Sequence, residues 1–120
     1  MRIFKIKSFM RFARREKISD AALVEAIERA GQGLIDANLG GGLIKQRVAR
    51  PGQGRSSGFR TAYQARNRAV FLYGFAKSER DNIDDDELEA LREIAAEWLK
   101  ADAAALARQI SEGLAEEVTK

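Results

Sequence analysis

The sequence predicts an α+β domain in which N-terminal helices pack on a three- to four-stranded antiparallel sheet and a long C-terminal helix follows. Three successive patterns support this prediction. Apolar residues recur at helical spacing before residue 40, alternate with a period of two between 43 and 75, and return to helical spacing after 81. A chain of 120 residues is long enough to bury one core, so we expect a single domain over 1–120.

The first 40 residues predict one short strand and two helices. The stretch "RIFKIK" alternates apolar and charged residues and predicts a strand. In "FMRFARREK" the apolar residues follow helical spacing, so we expect a short basic helix with Ser8 as its N-cap. A second helix is expected to begin at Ser19 or Asp20, because an apolar stripe follows and weakens only at the glycines 31 and 33.

The period changes to two in the stretch "LIKQRVAR". Ile44, Gln46 and Val48 are expected on one side of this strand, and Lys45 and Arg47 on the other, because successive side chains of a strand alternate between faces. Cations therefore share one face of the predicted sheet.

A hairpin is predicted next, with strands over 59–65 and 69–75 joined by a tight turn. The second strand, "AVFLYGF", is almost entirely apolar. Such a composition is typical of a central strand that is covered on both faces.

A long amphipathic helix is predicted after residue 81, and Asp102 is the candidate position of a break into two helices. Asp84, Asp85, Asp86 and Glu87 stand at its start. Clustered carboxylates are ligands for Mg²⁺, but acids at a helix N-terminus also cap free N–H groups and match the helix dipole. We favour capping, and we predict no metal site.

Composition excludes several kinds of chemistry. The chain has no cysteine and no histidine, which excludes a thiolate nucleophile, an imidazole base and a Cys/His zinc site. No apolar run approaches the about 20 residues of a membrane span, and no leader pattern is present, so we expect a cytoplasmic protein without a membrane partner. No pattern calls for a small-molecule cofactor.

Charge is divided unevenly along the chain. Residues 1–80 hold 17 Lys/Arg and 6 Asp/Glu, whereas residues 81–120 hold 4 and 12. This division indicates either a basic face for a polyanion or an acidic helix that lies against a basic body.

The glycine-rich stretch "ARPGQGRSSGFR" is not a nucleotide-binding loop. A P-loop needs its own glycine spacing, a following Gly-Lys-Ser/Thr and a helix whose free N–H groups complete the phosphate site. Here the spacing differs and a strand follows, which also excludes the dinucleotide-binding pattern. The stretch is better interpreted as a turn that directs charged residues over the sheet.

Basic residues dominate the segment from Gly42 to Arg80, which holds nine Lys/Arg and one acid, Glu79. The nine are Lys45, Arg47, Arg50, Arg55, Arg60, Arg66, Arg68, Lys77 and Arg80. A solvated sheet face usually mixes charges of both signs, so we favour polyanion binding, with Tyr63 and Tyr73 as stacking surfaces for bases.

A basic cluster can also cleave RNA without a metal. The ribose 2′-OH attacks the adjacent phosphate, and Arg and Lys stabilise the charge that develops on the phosphoryl oxygens. Lys45 and Lys77 are the candidates for the general base.

The segment "GGGLIKQRVARPGQGRSSGFR", followed by "FLYGFAKSERDNI" and an acidic amphipathic helix, resembles the RelE-like branch of the RelE/HigB/ParE toxin superfamily of type II toxin-antitoxin systems. The resemblance covers nearly the whole chain. It implies a small domain with N-terminal helices on a twisted antiparallel sheet. RelE and HigB toxins cut mRNA in the ribosomal A site without a metal, and a cognate antitoxin blocks them. ParE toxins share the fold but poison DNA gyrase.

The resemblance also implies residue roles. Arg60 matches an arginine that contacts the scissile phosphate, Lys45 and Arg47 match a basic pair on the preceding strand, and Lys77 matches a lysine at the end of the last strand. These four are the predicted catalytic residues. The predicted RNA-binding residues are Arg50, Arg55, Tyr63, Tyr73 and Arg80.

Two positions depart from the RelE pattern. Ser78 and Asp84 stand where RelE has an arginine and a catalytic tyrosine, and Arg80 or Tyr73 are candidates to substitute. The leading hypothesis is a metal-independent, ribosome-dependent mRNA endonuclease that arrests translation and growth, with an antitoxin and ribosome-bound mRNA as partners. The alternatives are a ParE-like gyrase inhibitor and a non-catalytic RNA-binding toxin.

Overall fold

A computed structural model describes residues 2–40, 43–48, 59–65, 68–76 and 83–119, and over 59–65 it describes the backbone. Six strands and four helices lie in these ranges. In chain order they are β1 (Arg2–Ile6), α1 (Lys7–Arg15), α2 (Asp20–Gly31), β2 (Ala37–Asn38), β3 (Leu43–Val48), β4 (Phe59–Ala65), β5 (Arg68–Ala76), α3 (Asp85–Lys100), α4 (Ala103–Ser111) and β6 (Ala115–Glu117). The predicted α+β class is confirmed.

The sheet is mixed, and the prediction of a purely antiparallel sheet was wrong. The six strands are arranged in the order β2-β3-β4-β5-β1-β6. β1 runs parallel to β5, whereas every other neighbouring pair is antiparallel. Alternation along one strand indicates its two faces but not the direction of its neighbour, so this pairing could not be predicted locally.

Two strands were not predicted, because β2 and β6 have two and three residues. β6 pairs with β1 at the edge of the sheet, and charged side chains support this pairing. Arg2 donates two hydrogen bonds to the Glu117 carboxylate, at 2.9 and 3.0 Å, and the hydrogen bond from Arg2 holds the pKa of Glu117 below its usual value. Lys5 Nζ lies 3.6 Å from Glu116 Oε2. Some basic residues of the segment 1–80 and some acidic residues of the segment 81–120 thus pair with each other within the fold.

The helix N-termini follow the sequence except at α1, and α2 ends at Gly31, before the expected end of the helical part at Asn38. α2 begins at Asp20, one of the two predicted starts, and Ser19 caps it by accepting a hydrogen bond from the Ala22 N–H. α1 instead begins at Lys7 with Ile6 as N-cap and no side-chain cap, so the expected role of Ser8 was wrong. Ser8 Oγ donates to the Leu72 carbonyl at 3.2 Å and joins α1 to β5.

The long C-terminal helix breaks where the sequence indicated. Asp102 caps α4 by accepting from the Ala105 N–H at 2.8 Å. Arg68 closes the end of α3, because its Nη1 donates to the carbonyls of Trp98 and Ala101 at 2.9 and 2.7 Å. The two helices are therefore separate units, and the β5 arginine ties the end of α3 to the sheet.

β5 lies between two hydrophobic cores, as its apolar sequence predicted. Phe71 packs with α1 and α2 on one face, whereas Val70 and Leu72 pack with α3 on the other. α1 crosses β5 at Gly74, where a Cβ atom would lie 2.4 Å from the Phe12 ring. Close packing of α1 on the sheet thus requires glycine at this position.

Gln46 joins β3 to the end of α2. Its side chain is fully buried, and its Nε2 donates to the carbonyls of Ala26 and Leu34 at 3.1 and 3.0 Å. Replacing Gln46 with leucine is expected to lower the free energy of unfolding by about 2 kcal/mol, because two carbonyls lose a buried donor. Urea denaturation measures the change. Gln32→Leu, at an exposed position, is the control, and equal stabilities of the two variants would contradict this role for Gln46.

Candidate nucleic-acid interface

Lys45 and Arg47 lie on the face of β3 that is turned toward the α3 side of the sheet. Leu43 belongs to the core against α3, whereas Ile44 and Val48 belong to the core against α1 and α2. Because side chains alternate along a strand, Lys45 and Arg47 share the face of Leu43. The predicted separation of these two cations from Gln46 is confirmed.

The register of β4 relates the remaining predicted strand residues to this pair. The Cα of Arg60 is the partner of Arg47 on one side and of Phe75 on the other. The Cα of Tyr63 pairs with Ile44 and Phe71, which belong to the core against α1 and α2. The backbone therefore places Arg60 directly opposite Arg47. It places Tyr63 opposite residues of the core against α1 and α2, away from these two cations.

A β-bulge in β5 determines where Tyr73 lies. The pairing between β4 and β5 passes from Ala62 with Tyr73 to Tyr63 with Phe71, so Leu72 is the extra residue. Leu72 and Tyr73 consequently both pack on the α3 side of the sheet. The bulge brings Tyr73, which is partly exposed, to the face that carries Lys45 and Arg47.

Two residues hold Arg47: Arg29 of α2 and Asp36 of the loop that follows. Asp36 Oδ2 lies 3.2 Å from Arg47 Nε, and the Asp36 N–H donates to the Lys45 carbonyl at 3.2 Å. Arg29 donates to the Arg47 carbonyl, while Arg29 Nε lies 3.5 Å from Glu25 Oε1. Arg47 keeps 41% of its side chain exposed. Its carbonyl and Nε are therefore held, while its side chain as a whole stays partly exposed.

Sequence reasoning missed Asp36. A signal for it was present, because Asp36 is the one acid between Glu28 and Glu79 and lies beside the basic segment. Nothing in the local pattern connected it to Arg47, however, because their contact depends on the pairing of β2 with β3.

Four predicted site residues lie outside the described residues: Arg50, Arg55, Lys77 and Arg80. Ser78 and the turn 66–67 lie outside them as well. Arg60 and Tyr63 are described by their backbone alone. The structure thus brings together Lys45, Arg47, Tyr73 and the backbone position of Arg60.

The acidic cluster at the start of α3 caps that helix. Asp84 accepts a hydrogen bond from the Glu87 N–H at 2.9 Å, and the Glu87 carboxylate accepts one from the Asp84 N–H at 3.3 Å. This reciprocal pair is a capping box, as favoured from the sequence. Over the described ranges, acidic side chains form no group that could hold a metal ion.

No helix in the described part of the chain combines the length and apolar composition that crossing a bilayer requires.

Comparison with known proteins identifies the family. No curated protein matches the chain. The family model described as the RelE toxin of the RelE/RelB toxin-antitoxin system matches residues 1–118. Since this match spans nearly the whole sequence, the chain belongs to the RelE family of toxins from type II toxin-antitoxin systems.

Proposed function

We propose that this RelE toxin is a ribosome-dependent mRNA endonuclease that works without a metal ion and thereby arrests translation and growth. The observation that carries the proposal is the pair Lys45 and Arg47 on one sheet face, with the backbone position of Arg60 opposite Arg47. Three basic positions on two adjacent strands fit a ligand with closely spaced negative charges, and the phosphates of RNA are such a ligand.

The chemistry requires the ribose 2′-oxygen to attack the neighbouring phosphorus while the bond from phosphorus to the 5′-oxygen breaks. A general base takes the 2′-OH proton, and the leaving 5′-oxygen receives a proton, so the products are a 2′,3′-cyclic phosphate and a 5′-OH. Arg47 and Arg60 would contact the non-bridging oxygens, whose negative charge increases in the transition state. Lys45 and Lys77 remain the proposed base candidates.

Binding of the RNA strand would use residues around this centre. Tyr73 offers a partly exposed ring on the same face as Lys45, and base stacking on aromatic rings tolerates any sequence. Arg50, Arg55 and Arg80 are proposed as further RNA contacts, whereas Tyr63, predicted as a stacking surface, has its backbone position opposite core residues of the other face. Codon or base preference would then depend on how the ribosome presents the mRNA to these residues.

A toxin of a RelE/RelB system has a cognate antitoxin as its partner. We propose that an acidic or amphipathic segment of this antitoxin covers the face that carries Lys45 and Arg47. Complementary charge would accelerate association and exclude RNA from the same surface.

A second candidate function is non-catalytic RNA binding, and Asp84 favours it. This residue stands at the position of the catalytic tyrosine of RelE, and its side chain is used in the capping box of α3. The nuclease proposal therefore predicts that catalysis proceeds without Asp84.

Replacing Asp84 separates the two roles. Asp84→Ala is expected to lower the free energy of unfolding by about 1 kcal/mol through loss of the cap, whereas Asp84→Asn keeps a capping oxygen and changes it by a few tenths. Thermal denaturation measures both variants. Primer extension on translated mRNA should show wild-type cleavage by Asp84→Asn, and loss of cleavage in this stable variant would instead assign Asp84 to the reaction.

The proposed function itself is tested with purified toxin in a translating extract. Primer extension is expected to reveal new 5′ ends within mRNA that is being translated. Intact mRNA would reject the nuclease proposal, and inhibited supercoiling by purified DNA gyrase would then indicate a ParE-like function. Salt-dependent RNA binding without cleavage would support the non-catalytic alternative.

A further inference from the structure

A basic groove of about 360 Å³ lies between α1 and the second half of β5. Its walls include Arg11, Arg15 and Phe12 from α1, and Tyr73 and Phe75 from β5. The groove thus combines guanidinium groups with aromatic rings at the border of the face that carries Lys45 and Arg47.

The two arginines of the groove point from the same side of α1, because they are four residues apart. Arg15 is held in place, with its guanidinium carbon 5.6 Å from the centre of the Phe12 ring and its Nε 3.2 Å from Glu16 Oε1. Arg11 is exposed and forms no ion pair with another described residue. One cation is therefore preorganised, and the other is exposed without an acidic partner in the part of the chain that the structure describes.

Helix stability explains only part of this charge. α1 contains Lys7, Arg11, Arg14 and Arg15 and no acidic residue. Arg14 and Arg15 lie in the last turn, where cations are favoured by the helix dipole. Arg11 lies one turn earlier, outside the range of that effect, so its position in the groove calls for another explanation.

The groove continues the row of basic positions across the sheet. Arg47, Arg60 and Phe75 are partners on three neighbouring strands, so the groove wall at Phe75 lies two strand spacings from Arg47, or about 10 Å. Tyr73 also belongs to both regions, because it packs on the α3 side of the sheet and lines the groove. α1 packs on the other face of the sheet, so a strand of RNA that crosses the α3 face from β3 to β5 would reach Arg11 by passing over β5 at Tyr73 and Phe75, which line the groove.

We propose that this groove is a second phosphate subsite, which binds a phosphodiester of the RNA strand next to the one at Arg47 and Arg60. The inference rests on the proposed function, because it assumes RNA as the ligand. The size of the groove favours one nucleotide unit over a folded partner, which would need about 800 Å² of surface on each side. Arg11 and Arg15 would contact the phosphate, and the aromatic wall would contact the sugar or base.

Binding of uncleavable RNA tests the subsite. Single-stranded 2′-O-methyl oligonucleotides cannot supply the attacking 2′-OH, so their affinity is measured without cleavage. A dinucleotide and an oligonucleotide of about eight residues are compared by fluorescence anisotropy over a series of salt concentrations. The variants are Arg11→Glu and, as the matched control, Arg14→Glu, which makes the same charge change on the same helix outside the groove lining.

Arg11→Glu is expected to weaken binding of the longer oligonucleotide about tenfold. The slope of log K against the logarithm of the salt concentration should become shallower by about 0.7. Binding of the dinucleotide should stay unchanged, and Arg14→Glu should resemble wild type. Equal effects of the two variants would overturn the subsite. The subsite would also be overturned if binding of a poly-glutamate peptide depended on Arg11 while binding of RNA did not. That result would indicate a peptide site.

The two proposals can fail separately. If the wild-type protein cleaves mRNA but Arg11→Glu binds the longer oligonucleotide normally, the subsite is wrong and the nuclease stands. If mRNA stays intact while binding of the longer oligonucleotide still depends on Arg11, the subsite stands for an RNA-binding toxin and the nuclease proposal falls.

Discussion

Replacing Arg60 with alanine is expected to lower ribosome-dependent mRNA cleavage by about 10²–10³-fold and to abolish growth arrest. The expected loss is large because Arg60 is proposed to stabilise charge that develops only in the transition state. Its Cα pairs with Arg47, so the two guanidinium groups would start from opposite positions on neighbouring strands. Cleavage is measured by primer extension in a translating extract, and toxicity by induction in cells without the antitoxin.

Two further variants make this result specific. Arg60→Lys keeps the charge but lacks the planar fork of donors, so its cleavage rate should lie between those of wild type and Arg60→Ala. Arg108→Ala removes the same charge from an exposed position on α4, a helix that contacts β6 at the far edge of the sheet, and should cleave normally. Full toxicity of a folded Arg60→Ala protein would remove Arg60 from the site.

Replacing Gly74 with alanine is expected to destabilise the fold by about 3 kcal/mol, at the upper end of the usual cost of overpacking. The added Cβ would lie 2.4 Å from two atoms of the Phe12 ring, and Phe12 is itself buried between α1 and β5. To relieve this overlap, the Phe12 ring and α1 must shift away from β5. Thermal denaturation should show a fall in Tm of roughly 10 °C.

Gly31→Ala is the matched control for Gly74→Ala. A Cβ atom at Gly31, the last residue of α2, meets no atom within 4 Å. This change is expected to be neutral or to stabilise the protein by up to about 1 kcal/mol, because alanine favours helix more than glycine does. A stable Gly74→Ala variant would show that α1 is not packed against β5 as described.

Part of the candidate site could be predicted from the local sequence pattern. A period of two was enough to place Lys45 and Arg47 together and to separate them from Gln46, because alternation is a property of any extended strand. Ser19, Asp84 and Asp102 were equally accessible as helix caps, since a cap bonds to backbone only three residues away. These are predictions about neighbours in sequence.

The groove beside Arg11 and the contact of Asp36 with Arg47 could not be predicted in this way. Arg11 and Tyr73 lie far apart in the sequence, and they line the same groove because α1 packs across β5 at Gly74. The face of Tyr73 was also unpredictable, since one extra residue at the bulge reverses the alternation from that point onward.

The sequence by itself determined the α+β class, the central apolar strand, the basic strand face and the starts of α2, α3 and α4, because each depends on spacing within a few residues. Only the tertiary structure decided that β1 lies parallel to β5, that a bulge turns Tyr73 toward the cations, and that Asp36 anchors Arg47. Those features arise from pairing and packing between segments distant in the chain, for which local periodicity carries no information.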